Sequence, residues 1–237
     1  MRDPPFDYTY DFIRGALPAG AKRMLEIGCG SGLLAARLQA DGFEVLAIDA
    51  DEHCAAAARS LGVDARAAEW PCPLDGGFDA VLFTRSLHHV HDLEGGIAAA
   101  FANLAEEGRL IVEDFDSAFA DEAALRWFAG LVRSLRAAGA EVDASDFLKA
   151  LGSNQESALD VWHAQHDRHL HPAARIEAAL RQASEFCTVE SAAYFFRYIA
   201  AALPGAVELI EAVRTHEAEL ISTGTMAPLG RRYVAER

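Results

Sequence analysis

Three glycines at every second position, Gly28, Gly30 and Gly32, interrupt the run MLEIGCGSGLLA at residues 24–35. An apolar strand pattern precedes them and an apolar helical pattern follows. Strand, bare turn and helix together make a ligand site. Glycine permits positive φ, missing side chains let a ligand approach the backbone, and the helix start offers unpaired amide donors. Two carboxylates can share the site. Glu26 stands just before the glycines, where it can face a cationic group. Asp49 stands 17 residues after Gly32, near the spacing of about 20 at which a strand-terminal acid meets ribose hydroxyls in nucleotide folds. Capping of a helix near Glu52 is the plainer task open to Asp49, and Asp51 suits that task better. The dinucleotide pattern G-x-G-x-x-G requires glycine where Leu33 stands, and a pyrophosphate would not favour Glu26 as a neighbour.

A second set of residues can move protons. His88 and His89 titrate near neutrality and can accept one, or else cap and pack. Glu113, Asp114 and Asp116 end an apolar run; they either bind a cation or form a solvated loop mouth. Four histidines, His163, His166, His169 and His171, crowd one segment. On a helix His163 shares a face with His166, and His166 with His169. Pro172 follows, so helical geometry stops near there, and no metal site is assigned. Cys29 lies inside the glycine turn, as a small filler or as a thiol activated by helix amides.

The elements that must position these residues alternate between two periods. Strands are expected at 23–27, 44–48, 63–67, 78–84 and 109–113, with a turn at Glu107–Gly108. Helices are expected at 32–41, 52–60 and 93–104. This alternation means βαβ units, right-handed crossovers and a parallel sheet. After Phe115 the rhythm changes. Residues 117–171 carry helical patterns at 121–138 and 142–151 without strand signals. A helix at 175–183, a ragged sixth strand within 186–199, a helix at 207–220 and a last strand at 230–234 complete the chain. Residues 1–20 read as an N-terminal arm anchored by Tyr8, Tyr10, Phe12 and Ile13.

The totals narrow the classes. The chain has 237 residues, 51% of them hydrophobic and 24% charged, with a net charge of −15. That balance is ordinary for a soluble globular protein. The acidic charge argues against nucleic acid and against anionic membrane surfaces, both of which call for Lys and Arg. No run is apolar enough to span a membrane. The N-terminal residues MRDPPFDYTYDF lack the apolar core of a signal peptide. The four cysteines show no paired spacing and read as reduced thiols. The expectation is a cytoplasmic protein.

The ordered set of motifs resembles the class I S-adenosylmethionine-dependent methyltransferases. Leu25–Gly32, LEIGCGSG, is similar to the family's first motif. Val45–Asp49, VLAID, resembles the second, in which a strand-terminal acid binds ribose. Gly77–Leu82, GFDAVL, and Ser86–Val90, SLHHV, resemble the fourth strand and the segment after it. Gly108–Val112, GRLIV, resembles the fifth strand. The resemblance covers roughly residues 20–115. It implies an α/β fold with a doubly wound, mostly parallel seven-stranded sheet, Rossmann-like, carrying a helical cap. The expected parts are an arm at 1–20, a cofactor-binding core at 21–116, a cap insertion at 117–172, and sheet completion at 173–237.

The same resemblance implies S-adenosyl-L-methionine as donor and S-adenosyl-L-homocysteine as product. It places Glu26, Gly28, Cys29, Gly30, Ser31, Gly32, Asp49 and Ala50 against the donor. Arg85 and Ser86 fall near its methionine part. Glu69 is a candidate for the adenine amino group, although A-A-E-W-P departs from the commoner pattern, and Trp70 is a candidate to cover the ring. His88, His89, His169 and Glu113 are candidates to act on the acceptor, which is expected to be a small molecule enclosed by the cap. The aromatic set Phe115, Phe119, Trp127, Phe128 and Trp162 either walls that acceptor pocket or is plain core. Monomer and homodimer both remain open. Two other readings stay open too: a donor-binding regulator without catalysis, and a methyltransferase acting on proteins.

Overall fold

Strands buried on both faces need nearly continuous apolar side chains, and β1 (Arg23–Ile27), β2 (Glu44–Asp49) and β4 (Phe78–Thr84) have them. The computed structural model describes residues 3–116, 120–142, 145–153, 156–166 and 170–237. The chain divides into two compact units. The first, a sheet unit, holds Thr9–Asp114, Ala173–Glu190 and Arg231–Arg237. The second, a helical unit, takes Phe115–Pro172, Ser191–Gly230 and the residues up to Tyr8. The expected cap at 117–172 lies inside the helical unit, and the expected 173–237 segment is shared between the units.

The sheet also contains β3 (Asp64–Ala67), β5 (Leu104–Phe115), β6 (Cys187–Ala192) and β7 (Gly230–Glu236), in the order β3-β2-β1-β4-β5-β7-β6. This is the doubly wound α/β arrangement. β1 runs parallel to both β2 and β4, with Ile27 level with Ile48 on one side and Phe83 on the other. That register brings Gly28, Asp49 and Arg85 to one edge, the carboxyl ends of three adjacent strands. At the opposite end Asp79 Oδ2 accepts from the Lys22 and Arg23 amides at 2.7 and 2.8 Å, pinning β1 to β4. β7 reverses direction: the Asp116 amide donates to Leu229 and the Arg237 amide to Gly108, a descending register along β5.

Helices cover this sheet because their caps and apolar stripes are local. They are α2 (Leu33–Ala40), α3 (Glu52–Ser60), α4 (Leu93–Asn103) and α8 (Ala173–Ala183). Asp51 caps α3 by accepting from the His53 amide, and Asp92 caps α4 by accepting from Gly95. Each such cap stabilises by about 1 kcal/mol. Leu25, Ile27, Ile48, Val81, Phe83, Ile97 and Val112 form the core of the sheet unit. The arm is a helix, α1 (Pro4–Ala16).

Two elements depart from the sequence reading. β5 runs through the expected turn at Glu107–Gly108: Glu107 takes φ 63° and the pairing with β4 shifts register between Phe78 and Ala80. The expected turn is thus a bulge-like irregularity within the strand. The ragged strand within 186–199 is a strand only to Ala192, and a helix, α9 (Phe196–Ala202), follows. The aromatic residues there favour strand by propensity. The buried Glu217 carboxylate overrides this by accepting from the Tyr194, Phe195 and Phe196 amides at 2.6, 3.0 and 3.1 Å.

The helical unit also contains α5 (Glu122–Ala137), α6 (Asp146–Ser153), α7 (Ala158–His166) and α10 (Val207–Ser222). Phe128, Phe147, Trp162 and Phe195 are buried in its own core. No helix among the described residues is long and apolar enough to cross a membrane.

Candidate functional site

The three glycines of the turn do different work. All take positive φ, 73° at Gly28, 54° at Gly30 and 77° at Gly32. A Cβ on Gly28 would meet the Ser86 Cβ at 2.4 Å, and one on Gly32 would meet the Ala58 Cβ at 2.4 Å. Those two positions are bare because the protein itself approaches. A Cβ on Gly30 would meet nothing within 4 Å. Of the three, Gly30 alone has open space at that position, and it lines a cavity.

The cavity measures about 560 Å³, within the range of small-molecule and cofactor sites. It opens at the carboxyl ends of β1, β2 and β4, where open α/β sheets bind ligands. Gly28, Gly30, Asp49, Ala50, Glu69, Trp70, Arg85, Ser86 and His89 line it, all of them candidates from the sequence. Ile48, Ala68, Val90 and His91 line it as well and were not singled out. Their signal was position: Ile48, Ala68 and Val90 each neighbour a named candidate, as does Ile27, which also lines the cavity, and His91 lies two residues beyond His89. Glu26, Cys29, Ser31 and Gly32 are not part of the wall.

Asp49 shapes the turn as well as the cavity. Its Oδ2 accepts from the Gly30 amide at 2.8 Å and its Oδ1 from the Asp51 amide at 2.9 Å. Capping of α3 falls to Asp51, so Asp49 keeps its remaining lone pairs for a ligand. Glu69 is exposed at the rim. Trp70 is fixed by its indole N–H, which donates to the Gly96 carbonyl at 3.0 Å.

Beneath the turn, Glu26 is 1% exposed. Its Oε1 is 3.5 Å from Thr84 Oγ1, and its Oε2 has no hydrogen-bond partner among the described residues. Burial pushes its pKa up to about 8, while the Arg85 guanidinium works in the other direction. A buried, under-partnered carboxylate costs free energy unless a cation or donor reaches it. Cys29 sits nearby; burial first, and then the Glu26 and Asp49 charges, push its thiol up to about 12. It is a filler, not a nucleophile.

Arg85 closes the opposite wall. It is a non-glycine residue with φ 60°, a conformation that costs on the order of 1–3 kcal/mol and persists only when its surroundings impose it. The surroundings are visible. Its amide donates to the Glu113 carbonyl at 2.6 Å, and its Nη1 reaches Glu113 Oε1 at 3.2 Å. Next to it, Ser86 Oγ donates to the Ile27 carbonyl at 2.6 Å, tying β4 to the glycine turn.

Glu113 is 3% exposed and does not line the cavity. Besides Arg85 it accepts from Thr9 Oγ1 at 2.6 Å and from Arg232 Nε and Nη2 at 2.9 and 2.7 Å. His88 is likewise buried, at 3% exposed. Both oxygens of Asp114 are engaged with it, one with the His88 amide and one with Nδ1. His89 alone of that pair reaches the cavity. Its ring lies 4.0 Å from that of His88, and partial burial, with the His88 charge, lowers its pKa. The shift favours the neutral imidazole, the form able to accept a proton.

His163, His166 and His171 belong to the helical unit. His169 lies outside the described residues, as does Phe119. His163 is exposed at the end of α7. His166 stacks on Trp162 at 3.8 Å, and burial lowers its pKa. Its Nδ1 donates to the Trp162 carbonyl, so its Nε2 accepts from the Tyr198 hydroxyl at 2.7 Å. Phe115, Trp127, Phe128 and Trp162 all belong to the aromatic core of this unit. Among the described residues no group of three or more His, Cys, Asp or Glu is placed to hold a metal ion.

Fold and cavity together define a nucleotide-type site at the edge of a Rossmann-like sheet. The family described as "Methyltransferase domain" matches residues 9–185, and the chain belongs to that family. An uncharacterized methyltransferase of Mycobacterium bovis is 34% identical over 116 residues, covering 45% of this chain and 57% of the relative. A ubiquinone biosynthesis O-methyltransferase of Xylella fastidiosa is 33% identical over 123 residues, covering 46% of this chain and 48% of the relative. The chain spans about half the length of the curated relatives it matches. Phosphoethanolamine N-methyltransferase 2 of Haemonchus contortus, solved with S-adenosyl-L-methionine, superposes with a TM-score of 0.60 at 13% identity, over 98% of this chain and 52% of that one. At that identity the likeness speaks for the fold.

Proposed function

We propose that the chain is an S-adenosyl-L-methionine-dependent methyltransferase acting on a small molecule, with S-adenosyl-L-homocysteine as product. The observation that carries this is the open face of Gly30 between two carboxylates of different character: Asp49 at the cavity wall and the under-partnered Glu26 below it. The first suits a ribose, the second an ammonium. A pyrophosphate would meet the Asp49 carboxylate there, while the Arg85 guanidinium that lines the cavity is already engaged by Glu113. The donor supplies an activated methyl group on a sulfonium, so the protein's task is placement.

Each residue then has a task. Asp49 accepts from the ribose hydroxyls while its amide bonds hold the turn. Ile48 and Val90 give the cavity apolar walls, and Trp70, locked to Gly96, flanks the same space. Glu69, at the rim, is the candidate for the adenine amino group. Glu26 accepts from the ammonium of the amino-acid part, helped by the turn backbone around Ser31 and Gly32. His89 stands at the mouth and takes a proton from an acceptor that must lose one, such as a hydroxyl. His88 and Glu113, both buried on protein partners, position other groups and do not touch the acceptor. His169 remains a candidate for acceptor contact. The chain works in the cytoplasm, without nucleic-acid or membrane partners, as a monomer or homodimer.

Transfer of a labelled methyl group tests the reading. Purified protein is incubated with methyl-labelled S-adenosyl-L-methionine and a panel of small hydroxylated and amino compounds, with proteins as a separate arm. Label is expected in a small product. Label only in protein, or in nothing, contradicts the proposed acceptor class.

A further inference from the structure

Around Glu113 four elements meet within the sheet unit. Thr9 comes from α1, Arg85 from the end of β4, Glu113 from β5 and Arg232 from β7. Thr9, Glu113 and Arg232 are buried, and none of the three lines the donor cavity. The two oxygens of Glu113 divide their partners. Oε2 takes Arg232 through both Nε and Nη2, two charge-assisted bonds that anchor this oxygen. Oε1 is thereby turned toward Thr9 and Arg85. Thr9 Oγ1 donates to Oε1 and also accepts from Arg85 Nη1 at 3.3 Å. The Arg85 guanidinium therefore has two acceptors, one of them on α1. Arg85 in turn lines the cavity as a non-glycine residue with left-handed backbone, and its charge opposes the burial that raises Glu26.

We propose that Thr9 and Arg232, acting through Glu113, are positioning residues that hold Arg85 in the pose forming the donor-cavity wall. Helix α1 and strand β7 thus set donor affinity without touching the donor. This rests on the donor reading above. If Arg85 loses its Thr9 acceptor, Glu113 alone holds the guanidinium, which can then shift at the wall and relative to Glu26. The cavity changes shape, and the charge that helps Glu26 stay ionised against an ammonium changes with it. The hydroxyl at position 9 is the sharpest point of attack, because it is one small group, far from the cavity in sequence, joining both halves of the pair.

Calorimetric titration with S-adenosyl-L-homocysteine tests this on wild type, Thr9→Val, Thr9→Ser and Arg232→Lys. Thr9→Val keeps shape and removes the hydroxyl, and is expected to weaken affinity roughly fivefold or more, the range of one lost buried hydrogen bond. Thr9→Ser is expected to restore it to within about twofold, since it returns that bond. Arg232→Lys breaks that pair of bonds and is expected to weaken affinity in the same direction. Affinity unchanged in Thr9→Val, or not restored by serine, overturns the proposal. Hydrogen exchange on the wild type gives a readout that needs no variant. Ligand is expected to increase amide protection in residues 9–16 as well as around the glycine turn; protection confined to the turn overturns it. A wild type that binds no ligand would instead remove the donor reading itself.

Discussion

Two buried carboxylates stand near the carboxyl ends of β1 and β5, the two strands that flank β4 in one sheet, and they are opposites. Glu113, at the end of β5, accepts from a hydroxyl and two guanidinium groups. Glu26, near the end of β1, has a long contact to Thr84, the Ala35 amide nearby, and one oxygen with no hydrogen-bond partner among the described residues. Burial is the same, at 3% and 1% exposed. The difference teaches which carboxylate belongs to the fold and which waits for a ligand. A satisfied buried charge is a structural joint. An unsatisfied one is a cost to the empty protein that a bound cation removes.

The largest expected effect breaks the satisfied side. Glu113→Ala leaves Arg232 and Arg85 facing a void, and loss of one partner from a buried ion pair costs about 3–5 kcal/mol. The melting temperature is expected to fall by roughly 10 °C or more in a thermal melt. A fall of only a degree or two would mean that Glu113 is not the joint described here. Asp49→Ala comes next. It removes the Gly30 and Asp51 amide bonds together with the ribose acceptor, and donor affinity is expected to drop about tenfold to a hundredfold by calorimetry. An unaltered affinity would move the ribose role to another residue.

Glu26→Gln sharpens the contrast, because its sign is reversed for stability. The Glu26 pKa in the folded protein, about 8, lies above its ordinary 4.5. Its contribution to stability is therefore complete below pH 4.5 and is lost as pH rises through 8. Removing the ionisable group removes that loss. The ligand-free variant is expected to melt higher than wild type by a margin that grows between pH 5 and 9, while binding the donor more weakly. A margin that shrinks with pH would contradict the assignment. The smallest effect concerns the turn. Gly30→Ala places a methyl group in open space and costs the fold about 1 kcal/mol for its positive φ. Gly32→Ala drives one into Ala58 and is expected to cost more. Equal melting temperatures for the two variants would remove the distinction between a glycine that faces the ligand and one that faces the protein.

Sequence and structure agree where information is local. The run from β1 through α3 is written in alternating apolar periods, glycines and caps, each within a few residues of its effect. The second strand, its Asp49 and the Asp51 cap all follow from that stretch. Agreement ends where a partner is remote. Glu113 at the end of a strand reads as substrate-facing, yet two of its partners lie 104 and 119 residues away, and nothing near Thr9 or Arg232 announces them. His88 and His89 are adjacent and chemically identical; only the Asp114 side chain, beyond the reach of local pattern, sends one inward and leaves the other at the cavity. Tyr194–Phe196 looks like strand until Glu217 arrives from α10 to cap a helix there. The glycines were legible as a motif, but which of them the protein needs for its own packing depends on Ser86 and Ala58.

The central claim is that the cavity at Gly30 takes a nucleoside whose ammonium meets Glu26. Titration calorimetry with S-adenosyl-L-homocysteine at pH 7, repeated in two buffers of different ionisation enthalpy, tests it directly. Glu26 carries a proton in the empty protein at that pH and gives it up to the buffer when the cation arrives, so one-site binding is expected with release of about one proton. Absence of heat in both buffers contradicts the donor site, and binding with identical heats in the two buffers contradicts the part assigned to Glu26.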